Sequence, residues 1–128
     1  MKSKSKVTML VVAVLLSLLS SVNVQASETG KCGDNITWTL DDKGNLELTG
    51  KGKMYGYSLM GAPWGTSIVS VTISEGIENL GKYAFSFCGK LTNVVIPNSV
   101  KEILEGVFRG CIYNHRTTKT NQKYPSVN

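Results

Sequence analysis

The sequence predicts a β-rich repeat solenoid in which each repeat supplies a short strand and a short helical turn, with an N-terminal β-hairpin capping the stack. Three observations favour this fold. One 23-residue pattern is written twice in residues 68–113, alternating apolar and polar residues precede it, and glycines within both copies argue against a long helix there. A fixed period of this length is typical of a solenoid, because one unit cannot bury its apolar side without a stacked neighbour.

The first 26 residues have the pattern of a secretory signal peptide. Lys2, Lys4 and Lys6 precede an apolar run at residues 7–19, and a small-x-small site ends at Ala26. A membrane-spanning helix needs about 20 apolar residues, whereas Ser17 interrupts this run and Ser20 and Ser21 end it. The alternative is an uncleaved anchor, which would be the chain's only contact with a membrane. We expect cleavage after Ala26 and a secreted or cell-surface protein.

Removal of the signal peptide leaves 102 residues, which suits one small domain. It also lowers the net charge from +5 to +2, and residues 27–111 carry 8 basic and 9 acidic side chains, a net charge of −1. A nucleic-acid-binding surface requires clustered basic residues on the folded body. The charge distribution therefore excludes a nucleic-acid partner.

Residues 27–67 are predicted to form a β-hairpin cap followed by a glycine-rich connector. Ile36, Trp38 and Leu40 alternate with threonines, Leu46 and Leu48 flank a glutamate, and a turn containing Asp and Gly separates the two runs. An isolated hairpin is marginally stable. Its apolar face is therefore expected to cover the open end of the first repeat, as the terminal unit of a repeat array does.

The connector contains three aromatic residues, Tyr55, Tyr57 and Trp64. They either stack on a sugar, as in a small carbohydrate-binding module, or pin the connector to the edge of the core. The glycines of the connector do not form a dinucleotide-binding loop, because the third glycine of the cluster is one position late and no β-α unit surrounds it.

Within each repeat, apolar residues recur first at every second position and then at every third or fourth position. The first spacing predicts a strand, and the second predicts a short helical turn at residues 83–87 and 105–109. The predicted core columns align when the chain is shifted by 23 residues: Val71, Ile73, Ile77, Leu80, Phe85 and Cys88 in the first copy, with Val94, Ile96, Val100, Ile103, Phe108 and Cys111 in the second.

The alternate residues of the two strands are candidate binding residues, because successive side chains of a strand point to opposite faces. Two strands cannot provide the roughly 800 Å² per partner of a standard interface, so binding by this patch alone is expected to be weak. The candidate residues are Ser70, Thr72, Ser74, Asn93, Val95 and Pro97.

Three cysteines, Cys32, Cys88 and Cys111, are an odd number for an exported chain, so at least one is unpaired or bonds to another molecule. Cys88 and Cys111 hold equivalent positions, and they either form a disulfide or fill one core column as small hydrophobic residues. No metal site is predicted, since the chain has no C-x-x-C pair and its one histidine, His115, lies in the tail.

A third copy of the pattern would place polar residues in every column. Residues 114–128 are therefore expected to form a disordered tail, and residues 91–96 are expected to form the final strand. The apolar side of the second repeat is then uncovered. This predicts either a dynamic second repeat or self-association of two molecules through it.

The repeat resembles the BspA-like leucine-rich repeats, whose pattern is roughly L-x-x-V-x-I-P-x-x-V-x-x-I-G-x-x-A-F-x-x-C. The second copy matches it at Leu91, Val94, Ile96, Pro97, Val100, Ile103, Phe108 and Cys111. The segment Cys32-Gly-Asp-Asn-Ile-Thr-Trp-Thr-Leu also resembles the leader that precedes such repeats in exported bacterial proteins. The resemblance implies a leucine-rich-repeat fold and a surface or secreted interaction module that adheres to host or matrix proteins, without catalysis or a cofactor.

Three other functional classes are alternatives to an interaction module. An enzyme is disfavoured, because residues 27–113 contain no histidine and Asp41 and Asp42 lie in a predicted turn, where Asp is common for conformational reasons. A carbohydrate-binding module would use the connector aromatics. A truncated repeat-protein fragment without independent function is the third alternative, because two repeats are few for this type of array.

Overall fold

The computed structural model describes residues 27–111 and the strand at residues 116–117. These described residues contain strands and turns but no helix. The strands form a six-stranded sheet in the order β1-β2-β3-β4-β6-β8 and a two-stranded sheet of β5 and β7. Their bounds are β1 (Glu28–Gly33), β2 (Ile36–Leu40), β3 (Asn45–Gly50), β4 (Ser70–Ile73), β5 (Asn79–Leu80), β6 (Asn93–Val95), β7 (Glu102–Ile103) and β8 (Arg116–Thr117).

The N-terminal part of the large sheet is antiparallel. β2 pairs with β3 across a turn in which the Asp41 carboxylate accepts hydrogen bonds from the backbone N–H groups of Lys43 and Asn45, at 2.9 and 2.8 Å. β1, which the sequence analysis did not predict, pairs with the other edge of β2. The ring of Trp38 leaves no room for a side chain at the facing position of β1, and Gly30 occupies that position.

The repeats continue the same sheet with parallel strands. β3 pairs with β4, and β4 pairs with β6 at an offset of 23 residues that aligns Val71 with Val94. β5 and β7 repeat this offset in the small sheet, where Asn79 lies beside Glu102. Equivalent residues of the two copies are therefore neighbours in space, which is the arrangement that the 23-residue period predicts.

One more strand follows the second repeat. β8 pairs in parallel with β6 and aligns Arg116 with Asn93 and Thr117 with Val94. The prediction that residues 91–96 form the final strand is therefore wrong. Strands pair through backbone N–H and C=O groups, which polar residues carry as well as apolar ones, so polar columns did not exclude this strand.

Two predicted segments lie largely outside the described residues. The signal peptide at residues 1–26 is one, and the tail at residues 114–128, apart from β8, is the other. Within the part of the chain that the structure describes, no helix has the length and apolar character needed to cross a membrane.

Turns, and not the predicted helical turns, follow the strands of each repeat. In residues 82–87, the N–H groups of Ala84 and Ser86 donate to carbonyl groups three residues earlier. The N–H groups of Tyr83, Phe85 and Phe87 donate instead to carbonyl groups of the second repeat, at 2.6 to 3.0 Å. An α-helix requires consecutive N–H groups to bond within the helix. Because every second one bonds to the neighbouring repeat, no helix forms.

The backbone of these turns is left-handed at two equivalent positions in each repeat. The φ angles of Tyr83 and Phe87 are 55° and 59°, and those of Gly106 and Gly110 in the second repeat are 67° and 71°. Residues other than glycine adopt this conformation rarely. The rings of Tyr83 and Phe87 lie directly against Gly106 and Gly110, where any Cβ would clash with them, and this packing offsets part of the strain.

The predicted columns fill the core. Nine of the twelve predicted core residues are buried, and Ile103, Phe108 and Cys111 in the second repeat are half-buried. The rings of Phe85 and Phe108 stack with their centroids 5.7 Å apart, and Trp64 continues this column with its centroid 5.8 Å from that of Phe85. An aromatic column therefore connects the connector to both repeats.

Buried polar groups also hold the connector against the first repeat. Asn79 Oδ1 accepts a hydrogen bond from the Met54 N–H group at 2.7 Å, and Asn79 Nδ2 donates to the Met54 carbonyl at 3.4 Å. Trp64 Nε1 donates to the Ala84 carbonyl at 2.9 Å. Residues 51–66 thus pack on the first repeat as a layer, although they contain no strand or helix.

Candidate interaction surface

The candidate binding residues lie on the outward face of the six-stranded sheet. The strand register aligns Thr39, Glu47, Thr72 and Val95 in one row across β2, β3, β4 and β6. All four side chains are exposed. Because this row crosses the hairpin as well as the repeats, the outward face is wider than the two strands expected from the sequence.

A second row is formed by Asn45, Ser70 and Asn93 on β3, β4 and β6. Ser70 Oγ donates to Asn45 Oδ1 at 2.7 Å, and Asn45 Nδ2 donates to Asp41 Oδ2 at 2.8 Å. These hydrogen bonds orient the side chains before a partner arrives. Groups that are already ordered lose less conformational entropy on binding, so this row is suited to recognition.

The last two candidates from the strands lie at the margin of the outward face. Ser74 is half-buried, and its hydroxyl donates to the Gly50 carbonyl at 3.3 Å at the end of β3. Pro97 is also half-buried and follows β6. The structure therefore brings Ser70, Thr72, Asn93 and Val95 together, while Ser74 mainly links the first repeat to the hairpin.

Sequence reasoning missed the contribution of the hairpin to this face. Thr37, Thr39 and Thr49 are exposed on β2 and β3, and Thr37 is aligned with Thr49. The alternation of threonines with Ile36 and Trp38 was the available signal. It predicts outward side chains, but it does not reveal the parallel pairing of β3 with β4 that joins them to the repeats.

The outward face carries little charge. Glu47 is the only charged residue that β2, β3, β4 and β6 contribute to the two rows, and on the flanking strands Lys31 is aligned with Thr37 and Arg116 with Asn93. Asp41 lies at the margin, and hydrogen bonds from the side chain and backbone of Asn45 hold its pKa below the usual value, so it stays ionised. A partner would therefore meet mostly hydroxyl, amide and small apolar groups on this face.

The three connector aromatics do not form a joint ligand platform. Trp64 is 4% exposed and contacts three other aromatic rings. Tyr57 is half-buried, and burial raises its pKa to about 12. Tyr55 is exposed and donates its hydroxyl to Asp34 Oδ1 at 2.8 Å. Trp64 is thus a core residue and not a ligand-binding one, because its ring is covered by other aromatic rings. Its position fits the alternative in which it holds the connector against the core.

The cysteine side chains are free thiols in the structure. Burial raises the pKa of Cys32 and of Cys88 to about 12, and it raises the pKa of Cys111 above its usual value. The Cys111 thiol donates to the Phe85 carbonyl at 3.0 Å. Among the described residues there is no group of three or more His, Cys, Asp or Glu that could hold a metal ion, and His115 lies outside them.

Comparison with known proteins identifies the repeat. Residues 64–126 match the model of the BspA type leucine-rich repeat region. The fold is similar to the crystal structure of a leucine-rich repeat protein from Eubacterium ventriosum ATCC 27560, with 28% sequence identity and a TM-score of 0.65. This similarity covers 73% of the present chain and 26% of that protein, so the chain spans about a quarter of its length. No curated protein matches the chain.

The match to the family model begins at Trp64, the first ring of the aromatic column, and includes both 23-residue copies and β8. The resemblance inferred from the sequence is thereby confirmed. Residues 64–126 of the chain are therefore a leucine-rich repeat region of the BspA type.

Proposed function

We propose that this chain is a secreted or cell-surface protein-interaction module that binds its partner through the outward face of the six-stranded sheet. In this proposal the repeats form a short solenoid, the hairpin caps it, and the partner is an extracellular protein such as a host or matrix protein. Leucine-rich repeat domains generally bind proteins, which supports the proposal at its coarsest level.

The observation that carries the proposal is the register of exposed side chains across the sheet. Thr39, Glu47, Thr72 and Val95 follow one another on adjacent strands, and adjacent strands lie about 4.8 Å apart. The backbone therefore fixes the spacing of these groups. Such a surface offers ordered contacts over four strands. It is therefore larger than the patch on β4 and β6, which alone is expected to bind weakly.

Thr72→Arg/Val95→Arg tests the proposed surface. These substitutions place two long charged side chains on the repeat strands of the row, and both positions are exposed, so the core is not touched. We expect them to reduce the capture of extracellular matrix proteins by immobilised residues 27–128 at least about tenfold. The two introduced arginine side chains would clash with a partner bound to this small interface. Thr66→Arg/Asn98→Arg is the matched control, since it adds the same charge at exposed positions outside the sheet.

Unchanged capture by Thr72→Arg/Val95→Arg would place the contact elsewhere on the molecule. Equal loss in both double variants would indicate a nonspecific effect of added charge. Capture by the unmodified chain is expected to change little with ionic strength, because the face has few charges for salt to screen.

Secretion is proposed from the leader pattern at residues 1–26. The test is the mass and N-terminal sequence of the protein recovered outside the cytoplasm of the producing cell. We expect a chain that begins at Ser27. A protein retained in the membrane with residues 1–26 attached would support the anchor alternative.

Self-association through the end of the second repeat is proposed as a property of the same module. Ile103, Phe108 and Cys111 are half-buried there, and Leu104 is 40% exposed. Light scattering on residues 27–128 over a range of concentrations tests this. We expect a dimer that Leu104→Arg weakens, whereas a monomer at every concentration would reject self-association.

A further inference from the structure

A tight turn at residues 58–61 exposes two consecutive apolar side chains. The Gly61 N–H group donates to the Ser58 carbonyl at 2.9 Å, which closes the turn around Leu59 and Met60. Leu59 is 45% exposed and Met60 is 58% exposed, the highest value among the large hydrophobic residues that are exposed in the described part of the chain. Neither side chain is needed to fill the core.

Met60 also holds a backbone conformation that favours glycine. Its φ is 57°, and the third residue of such a turn is commonly glycine because other residues are strained there. Glycine would satisfy the backbone better and would leave the turn intact. The fold therefore does not account for the methionine, and residues that keep strained conformations cluster at functional sites.

Phe87 extends the same surface. The Met60 N–H group donates to Ser86 Oγ at 3.3 Å, which holds the 58–61 turn beside the residue before Phe87. Phe87 also has a positive φ, 59°, and remains 39% exposed although one side of its ring covers Gly110. We call Leu59, Met60 and Phe87 the apolar tip.

The surroundings of the apolar tip are basic. Residues 82–90 and 105–111 carry Lys82, Lys90 and Arg109 against one acidic residue, Glu105, which forms an ion pair with Lys82 at 3.1 Å. These two turns therefore have a net charge of +2. Since residues 27–111 have a net charge of −1, the rest of that range has a net charge of −3. Arg109 is close to the tip, because its carbonyl accepts the hydrogen bond of the Phe87 N–H group.

We propose that the apolar tip docks the protein on an anionic lipid surface. The tip offers three partly exposed side chains, and these provide less than the roughly 800 Å² that a standard protein partner covers. A bilayer needs no complementary groove, because aliphatic and aromatic side chains enter its interface while Lys and Arg are attracted to anionic headgroups. The combination of an apolar turn and a basic rim fits that surface.

Sedimentation with lipid vesicles tests the proposal. Residues 27–128 are used, because the apolar run at residues 7–19 would itself bind lipid. We expect binding to vesicles of phosphatidylglycerol and phosphatidylcholine, with weaker binding to phosphatidylcholine alone and a decrease at high salt. The key variant is Met60→Gly, which removes the side chain and relieves the backbone strain. It should lower the partition coefficient about tenfold while the melting temperature stays equal or rises.

Tyr55→Ser is the matched control, because Tyr55 is a similarly exposed large side chain outside the tip. It should leave partitioning unchanged. The proposal is overturned if residues 27–128 do not sediment with anionic vesicles, if neutral vesicles bind equally well, or if Met60→Gly partitions like the unmodified chain. Loss of binding in Tyr55→Ser as well would also reject the tip as the docking site.

Discussion

Phe85 and Phe108 occupy equivalent positions in the two repeats, yet Phe85 is fully buried and Phe108 is half-buried. The same difference separates Cys88 from Cys111 in the next column. The first repeat is packed between the connector and the second repeat, whereas the second repeat has a described neighbour mainly on one side. Equivalent residues therefore contribute differently because their neighbours differ.

The two repeats also place different residue types at the same left-handed backbone positions. The left-handed turn positions are aromatic in the first repeat, Tyr83 and Phe87, and glycine in the second, Gly106 and Gly110. The aromatic rings of the first copy cover the glycines of the second. The aromatic residues of the first repeat therefore need glycines at the equivalent positions of the second, and the two copies are not interchangeable.

Deletion of residues 27–50 should have the largest effect. It removes β1, β2 and β3 and exposes the paired edge of β4 together with Val71 and Ile73. Exposed apolar strand edges promote association, so we expect aggregation of residues 51–128 on expression. Recovery of a soluble, folded 51–128 chain by size exclusion and circular dichroism would show that the hairpin is an independent appendage.

Phe85→Ala and Phe108→Ala compare the same column in the two repeats. Removal of a fully buried Phe side chain costs about 3–5 kcal/mol, which is close to the total stability of a small domain. We expect Phe85→Ala to unfold residues 27–128 and Phe108→Ala to cost about 1–2 kcal/mol, because less apolar area is lost. Urea denaturation measures both, and equal costs would mean that the second repeat is covered as well as the first.

Asn79→Ala and Glu102→Ala compare the paired residues of the small sheet. Asn79 is buried and bonds to both backbone groups of Met54. Its removal leaves those groups unsatisfied, which costs about 1–3 kcal/mol. Glu102 is exposed, and its replacement should change stability by less than about 0.5 kcal/mol. If thermal denaturation finds both variants alike, the connector is not anchored through Asn79.

Gly106→Ala should have a smaller effect than Asn79→Ala. The added Cβ meets the ring of Tyr83, and a φ of 67° is unfavourable for alanine. Together these should cost about 1–2 kcal/mol. Tyr83→Gly/Gly106→Ala removes the clash and should recover part of this loss in the same urea experiment. No recovery would mean that backbone strain alone determines the cost.

The sequence predicted the parts of the fold that depend on repetition. The 23-residue shift identified which residues become neighbours, and the alternation in β2 and β3 identified the hairpin strands. It could not predict the turns at residues 82–87 correctly. The apolar spacing of Ile77, Leu80, Ala84 and Cys88 suits a helix, and only the hydrogen bonds between the repeats decide against it.

Physical reasons also explain why strands β1 and β8 were not predicted from the sequence. β1 has no apolar alternation, because Gly30 faces the large ring of Trp38 and needs no side chain there. β8 pairs with β6 through backbone groups. Because its residues are polar, a search for apolar columns does not detect this pairing. The candidate surface was predicted in part, since the outward residues of β4 and β6 were identified but those of the hairpin were not.

Hydrogen exchange on residues 27–128, followed amide by amide, tests most directly the claim that the two repeats stack and differ in coverage. The Phe85 N–H group bonds to the Val107 carbonyl between the repeats, and the Arg109 N–H group bonds only within its own turn. We expect the Phe85 amide to exchange at the rate of global unfolding and the Arg109 amide to exchange much faster. Fast exchange at Phe85 would contradict the stacking, and equally slow exchange at both amides in a monomer would contradict the difference in coverage.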